Sequence, residues 1–249
     1  MNDALVIVTG AGRSGTSAVA RLLHEAGITM GSHLLGATES NPTGYYEERA
    51  VAALNDRILA ACGLDRWFGE ATRAEMLAAA EAHGDEMARL AAAAGGGWKD
   101  PRFCWTLEAW LPHLRSAPRV VVCLRNPIAA VESTLRRYGQ VGDEARRWVA
   151  SHWSRQYERL LEVLDDHALA ACCVDYDELA ERPEAAVERL AAFVGRPLEP
   201  ALIDASLRRE RPTPVPPEFS VLYERVRALA GSRARPRQSP SVLGYRFAE

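Results

Sequence analysis

Short apolar runs alternate with stretches of helical periodicity along most of the chain. The runs at 6–9, 119–124 and 169–174 are continuous, as is typical of strands buried on both faces of a parallel sheet. Between them, apolar residues recur at helical spacing and predict helices at about 18–26, 47–61, 73–94, 127–137, 144–164 and 183–194. This alternation predicts an α/β fold of three layers, α/β/α, around a central and mostly parallel sheet.

The first run leads into a glycine-rich loop that ends where a helix begins. Gly10 and Gly15 have the spacing of a P-loop, so a P-loop-like fold is expected. Thr16 replaces the lysine that follows the second glycine in ATP-binding loops, and Arg13 supplies a cation inside the loop. Such a layout presents backbone N–H groups to an anion, and three hydroxyl groups can join them: Ser14, Thr16 and Ser17. An ordinary glycine turn without a ligand is the alternative.

A second pair of side chains suggests another anion site. Arg125 follows the predicted strand at 119–124, on the side where open α/β sheets bind ligands. Asn126 and Pro127 are suited to start a helix, and Ser133 lies two turns along it. Arg125 and Ser133 can therefore hold one anion between them. A surface arginine and a helical serine without a ligand are the alternative.

Composition limits the class of protein. The 249 residues contain no evident repeat or boundary, so a single domain over 1–249 is expected, with an extended, Pro- and Arg-rich wrapping segment at about 208–249. Thirty Lys and Arg residues against 33 Asp and Glu argue against general nucleic-acid binding. The five cysteines have no C-x-x-C spacing, and neither a signal peptide nor a membrane-spanning stretch is apparent. A cytoplasmic location is the expectation.

Three separated segments together resemble bacterial sulfotransferases that use 3'-phosphoadenosine 5'-phosphosulfate (PAPS) as donor. Residues 9–23 resemble the 5'-phosphosulfate loop of that family, and residues 120–135 resemble its 3'-phosphate motif. Residues 174–179, with Pro183 and 193–195 behind them, resemble its tyrosine-containing segment and the following helix.

Two stretches between these segments, 41–47 and 98–102, also resemble bacterial members, so the resemblance covers most of residues 5–195. The tail departs from the pattern, because the family's C-terminal basic cluster has no clear counterpart there. The arginines available to replace that cluster are Arg233, Arg235 and Arg237.

The resemblance implies roles for the candidate residues. The residues that would bind the 5'-phosphosulfate are Arg13, Ser14, Gly15, Thr16 and Ser17. Arg125 and Ser133 would bind the 3'-phosphate, and Tyr176 would lie near the adenine. Arg13 stands where many eukaryotic members have lysine. It can stabilise charge on the leaving group but hardly give up a proton.

Sulfuryl transfer needs an in-line acceptor, stabilisation of the leaving phosphate and a base for the acceptor's proton. Lys99 is expected to contact the transferring group or the donor, with a surface lysine as the alternative. The candidate bases follow the first predicted helix: His33, Glu39, Glu47 and Glu48. His33 and Glu39 lie in a glycine-rich stretch that is a poor platform for precise chemistry. Glu47 and Glu48 stand where this stretch becomes a helix, and we select Glu47 because it follows residues 41–46, which resemble bacterial members. The alternative is that Glu47 only stabilises the start of a helix through the helix dipole.

The expected function is transfer of a sulfuryl group from PAPS to a hydroxyl or amine of a small molecule or carbohydrate. The product would be 3'-phosphoadenosine 5'-phosphate (PAP), and no metal is expected, because a sulfuryl group carries less charge than a phosphoryl group. Two alternatives stay open. One is a small-molecule kinase using ATP and magnesium, which the missing lysine disfavours, and the other is an inactive nucleotide-binding module on the same fold.

Overall fold

Four parallel strands form the central sheet of the protein. This computed structural model describes residues 4–39, 41–64, 69–204 and 213–229. The strands stand in the spatial order β2–β1–β3–β4, with the bounds β1 Val6–Thr9, β2 Gly97–Lys99, β3 Arg119–Leu124 and β4 Ala170–Asp175. β1 pairs with both β2 and β3, so Ile7 lies opposite Trp98 on one side and Val120 on the other.

Helices make the connections, because parallel neighbours need crossovers. Those in the described ranges are α1 Thr16–Glu25, α2 Arg49–Ala61, α3 Arg73–Glu81, α4 Gly84–Ala92, α5 Phe103–Trp110, α6 Pro127–Tyr138, α7 Asp143–Asp166, α8 Tyr176–Glu181, α9 Pro183–Val194 and α10 Pro217–Arg227. Short 3₁₀ turns occur at Leu111–His113 and Pro200–Leu202. Among the helices of these ranges, none has the length and apolarity needed to cross a membrane.

Different helices cover the two faces of the sheet. Val6 and Val8 belong to a core formed with α1 and α9, where Leu22 and Leu190 are buried. Ile7 lies in a larger core on the opposite face, which collects apolar side chains of α2, α5, α7 and α10. The strands are buried on both faces, as their continuous apolar runs predicted. The predicted three-layer α/β/α fold with a parallel sheet is therefore confirmed.

The alanine-rich stretch at 73–94 is not one helix, contrary to the sequence prediction. It forms α3 and α4, separated by a turn at Ala82 and His83. A capping box between Thr72 and Glu75 starts α3. α3 packs against α5, whereas α4 packs against the turn at Leu111–His113, so the two halves of the stretch have different packing partners.

The C-terminal segment also differs from its prediction of extended chain. Pro217 occupies the first turn of α10, where proline is tolerated because its missing N–H has no helical partner. Leu222, Tyr223 and Val226 then pack the helix against α7, β3 and β4. The rest of the predicted segment, residues 208–212 and 230–249, lies outside the described residues, and so do its three candidate arginines.

A single carboxylate joins three helices beside the sheet. Glu108 of α5 accepts hydrogen bonds from Arg159 of α7 (2.6 Å) and from Arg73 Nε of α3 (2.9 Å). Its Oε1 lies 2.9 Å from Nε2 of His167, at the end of α7. Burial alone would raise the pKa of Glu108, but the hydrogen bonds from Arg73, His167 and Arg159 outweigh it and lower this pKa to about 2.

We expect Glu108→Gln to lower the free energy of unfolding by about 3 kcal/mol at neutral pH, because Arg159 would lose its buried carboxylate partner. The folded-state pKa of Glu108 lies below its ordinary value of 4.5, so the wild type loses this contribution as the pH falls from there to about 2. The free energies of unfolding of the wild type and the variant should therefore approach each other as the pH falls. Urea unfolding measured across this pH range tests this.

Glu162→Gln is the matched control. Glu162 also faces Arg159, at 3.7 Å, but its side chain is 63% exposed. Its removal should cost less than about 1 kcal/mol. Equal losses in the two variants, or a difference that grows as the pH falls, would contradict the role of Glu108.

Candidate functional site

The carboxyl ends of the four strands meet at one edge of the sheet, and a cavity of about 870 Å³ opens there. The glycine loop follows β1, Arg125 follows β3 and Tyr176 follows β4. Lys99 is the last residue of β2. All of these line the cavity, with residues of α6, α7 and the 35–47 segment as the other walls. Open parallel sheets bind their ligands at this edge.

The loop after β1 approaches its neighbours so closely that two positions require glycine. Gly10 has φ +147°, and an added Cβ would lie 2.2 Å from the carbonyl oxygen of Cys123 in β3. Gly15 has φ +82°, and its added Cβ would lie 2.2 Å from the ring of Tyr176. The first turn of α1 begins directly behind Gly15, at Thr16, and lines the cavity. This helix end attracts anions.

A tyrosine beneath the loop holds it against the sheet. The hydroxyl of Tyr157, on α7, accepts from Ala11 N–H (3.2 Å) and donates to Cys123 O (2.7 Å). It also lies 3.2 Å from Ser14 Oγ. Ser14 is fully buried and its hydroxyl supports the loop from inside the protein. Thr16 and Ser17 line the cavity. Sequence reasoning missed this contact, because Tyr157 lies 146 positions after Ala11.

Arg13 joins the two predicted anion sites. Its Nε donates to Ser133 Oγ (3.1 Å), and Arg125 Nη1 donates to the carbonyl oxygen of Arg13 (3.1 Å). The Arg125 guanidinium lies 5.1 Å from the ring centre of Tyr176. Burial and the charge of Arg125 lower the pKa of Arg13. Arg13 also has φ +68°, which is uncommon outside glycine. An anion bound here would offset the repulsion between the two arginines.

Lys99 and Glu47 form a buried ion pair beside the start of α1. Lys99 Nζ donates to Glu47 Oε1 (2.6 Å) and to Ser17 Oγ (3.3 Å). Arg102 Nη1 donates to Glu47 Oε2 (3.2 Å). Relative exposures of 2% for Lys99, 5% for Glu47 and 7% for Arg102 show that these charges are out of bulk water. A continuous chain of contacts thus links the first turn of α1 to Glu47.

Arg102 is itself held by two more carboxylates. It pairs with Asp100 (2.8 Å) and Asp56 (2.5 Å), and Asn55 Nδ2 donates to Asp100 Oδ2 (2.9 Å). The sequence analysis quoted Arg102 in a resembling stretch but assigned it no role. Asp100 is two residues away, but Asp56 of α2 and Glu47 are 46 and 55 positions distant, and no local pattern indicates those two contacts.

The four candidate bases occupy different places. Glu39 and Glu47 line the cavity, and His33 and Glu48 do not. Glu48 Oε2 accepts the backbone N–H groups of Ser32 (2.7 Å) and His33 (2.9 Å). Burial would raise the pKa of Glu48, but these hydrogen bonds outweigh it and lower the pKa. Glu48 therefore fixes the loop before α2 and is not at the cavity.

α7 adds a histidine that the sequence analysis did not consider. His152 lines the cavity and packs against Trp105, with 5.6 Å between ring centres. Burial, with a smaller effect of the Arg155 charge, lowers the pKa of His152 to about 4, so the imidazole is neutral at pH 7. His152 lies on the apolar face of α7, one position before Trp153. A histidine at such a position is the sequence signal that could have identified it.

Comparison with known families identifies this arrangement. The family model described as "Sulfotransferase family" matches residues 5–200. The chain belongs to the sulfotransferase family. The matched range contains the glycine loop, Lys99, Arg125, Ser133 and Tyr176, and it supports sulfotransferase activity for the protein.

Solved sulfotransferase structures resemble this sulfotransferase in fold. The sulfotransferase domain from the curacin biosynthetic pathway is 15% identical, with 89% of this chain and 96% of that chain covered and a TM-score of 0.50. STF1 from Mycobacterium tuberculosis H37Rv is 20% identical over 78% of this chain and 67% of that one, with a TM-score of 0.47. The Synechococcus PCC 7002 olefin synthase domain is 16% identical over 93% and 90%, with a TM-score of 0.45. A search of curated proteins gave no match.

Gly15→Ala should destabilise the sulfotransferase more than Gly27→Ala. Both glycines have similar positive φ values, +82° and +85°, so each substitution carries a backbone strain of about 1–2 kcal/mol. An added Cβ meets Tyr176 at Gly15, whereas nothing lies within 4 Å of it at Gly27. Urea unfolding gives the loss of unfolding free energy in each variant, and the larger loss in Gly15→Ala measures the clash with Tyr176. In a Tyr176→Ala background, Gly15→Ala should therefore cost little more than Gly27→Ala. Equal losses for the two alanine variants would refute this close approach.

Proposed function

We propose that this sulfotransferase transfers the sulfuryl group of PAPS to a hydroxyl or amine of a small molecule or carbohydrate. The observation that carries the proposal is that two anion-binding sets line one cavity. One is the glycine loop with Lys99, and the other is Arg125 with Ser133. PAPS carries anions at both its 5' and its 3' position and can occupy both sets. ATP has a single phosphate chain and would leave the second set without an anion.

The donor assignment follows from this match. Gly15, Thr16 and Ser17 bind the 5'-phosphosulfate through the first turn of α1, and Ser14 shapes the loop from below. Arg125 and Ser133 bind the 3'-phosphate, and Tyr176, under the Arg125 guanidinium, lies near the adenine. Arg13 reaches between the two anions, because its guanidinium contacts Ser133 while its backbone belongs to the loop.

The transfer itself is an in-line displacement. The acceptor oxygen or nitrogen attacks sulfur, the bond from sulfur to the 5'-phosphate oxygen breaks, and PAP leaves with that electron pair. Lys99 and Arg13 stabilise the charge on the sulfuryl oxygens and on the leaving phosphate. Glu47 takes the proton that the acceptor loses.

Because Glu47 is paired with Lys99, its availability as a base depends on donor binding. Glu47 Oε1 accepts a hydrogen bond from Lys99 Nζ, so that oxygen already has a partner. A sulfuryl oxygen beside Ser17 competes for the same Nζ, because Lys99 also contacts Ser17. Donor binding would thus release Oε1 for the acceptor's proton.

Calorimetry tests the donor. PAP should bind much more tightly than ATP, and its affinity should be the same with and without magnesium. Among the described residues, no group of three or more His, Cys, Asp or Glu side chains is placed to hold a metal ion. ATP binding that requires magnesium and exceeds that of PAP would replace this proposal by the kinase alternative.

Arg125→Ala tests the 3'-phosphate site. It should weaken PAP binding by about 1.5–3 kcal/mol, because a charge-assisted contact is lost. Ser133→Ala removes a neutral donor and should cost only about 0.5–1.5 kcal/mol. Adenosine 5'-phosphosulfate lacks the 3'-phosphate and should bind both variants nearly as well as the wild type. Equal losses for the two nucleotides would assign Arg125 to another part of the donor.

Glu47→Gln tests the base. The substitution keeps the shape of the side chain and removes its ability to take a proton, so turnover should drop by roughly 10²–10⁴ while PAP affinity changes little. The readout is the mass gain of one sulfuryl group on an acceptor found by screening hydroxyl and amine compounds. Glu39→Gln and His152→Gln are the comparison variants, since both side chains line the cavity. Full activity in Glu47→Gln, with loss in either comparison variant or in His33→Ala, would move the base to that residue.

A further inference from the structure

The end of α6 carries two arginines that the donor assignment does not use. Arg136 and Arg137 line the cavity together with Tyr138. We propose that they bind an acidic group on the acceptor, so that the preferred substrates are hydroxyl compounds bearing a carboxylate or another anionic oxygen group. This inference rests on the proposed sulfotransfer from PAPS and names the acceptor class for the same site.

The direction of α6 places these arginines one turn beyond Ser133. Arg125 precedes α6 and lies over Tyr176, whereas Ser133 is two turns along the helix. Arg136 and Arg137 follow Ser133 by three and four residues, one further turn, on the same side. Between Pro127 and Arg137, α6 rises by about 15 Å. α6 thus carries its last turn, with both arginines, beyond the residues assigned to the 3'-phosphate.

The cavity lining contributed by α7 and the 35–47 segment is suited to a polar acceptor. α7 packs against α6 and lines the cavity with Val149, His152 and Gln156. The 35–47 segment contributes Thr38 and Tyr45. All of these except Val149 offer neutral donors or acceptors for hydroxyl groups, and the two arginines supply charge.

The charges around the cavity leave Arg137 available for an anion. Glu132, the acid nearest to Arg136 in the helix, is paired with Arg146 of α7 at 2.8 Å. Within the described part of the chain, Arg137 makes no ion pair or side-chain hydrogen bond. Cations predominate in the lining: Arg13, Lys99, Arg102, Arg125, Arg136 and Arg137, against Glu39 and Glu47.

Arg137 also lies near the glycine loop. Its charge, after burial and the charge of Arg125, contributes to lowering the pKa of Arg13. An acidic acceptor beside a highly charged donor would otherwise be repelled, and a cation at this place offsets the repulsion.

Matched pairs of probes test the acceptor class on the protein saturated with PAP. Calorimetry compares methyl glucuronoside with methyl glucoside, and 4-hydroxybenzoate with 4-hydroxybenzamide. The acidic member of at least one pair should bind the wild type about tenfold more tightly or better, as expected for a charge-assisted contact. Arg137→Gln should remove that preference and leave the binding of the neutral member and of PAP unchanged.

Arg147→Gln is the control, because Arg147 is an exposed arginine of α7 that does not line the cavity. It should keep the preference for the acidic probe. No preference in the wild type for either pair, including undetectable binding of all four probes at millimolar concentration, would overturn the inference. So would a loss of PAP affinity in Arg137→Gln, which would make Arg137 a donor ligand. PAP binding is measured before any probe is added. If the wild type does not bind PAP, the proposed function and this inference are both wrong.

Discussion

The parallel pairing of β1 with both β2 and β3 is the constraint on which the rest of this structure depends. Because all four strands run in one direction, the residues that follow them collect at a single edge of the sheet. Residues near positions 13, 99, 125 and 176 are far apart in sequence, and this geometry alone makes them neighbours. One antiparallel strand in the middle of the sheet would send its terminal residues to the opposite edge.

The loop keeps its shape through contacts made from outside it. Gly10 lets its backbone lie against Cys123, and Tyr157 fastens Ala11 and Ser14 from below. α7 therefore has two tasks, since it supports the loop with Tyr157 and lines the cavity with His152 and Gln156. The Glu108 cluster fixes the same helix to α3 and α5, so a stability element far from the cavity also positions its wall.

The site concentrates charge that its own side chains only partly balance. Lys99, Arg102 and Glu47 are buried together and satisfy one another, which offsets the cost of removing them from water. Arg13 and Arg125 crowd each other, and Arg13 has an uncommon backbone conformation. Strain and like-charge repulsion of this kind are features of binding sites, because a ligand of opposite charge relieves them.

The sequence by itself determined the layers of the fold, since buried strands and amphipathic helices have local periodicities that short segments express alone. It also identified the residues at the strand ends, because Gly10, Arg13, Arg125 and Tyr176 belong to local patterns. Tertiary structure alone decided the break within 73–94, the helix at Pro217–Arg227, and the partners of Glu47 and Tyr157. These depend on contacts between segments up to 146 positions apart, and no local pattern encodes which distant side chain will be met.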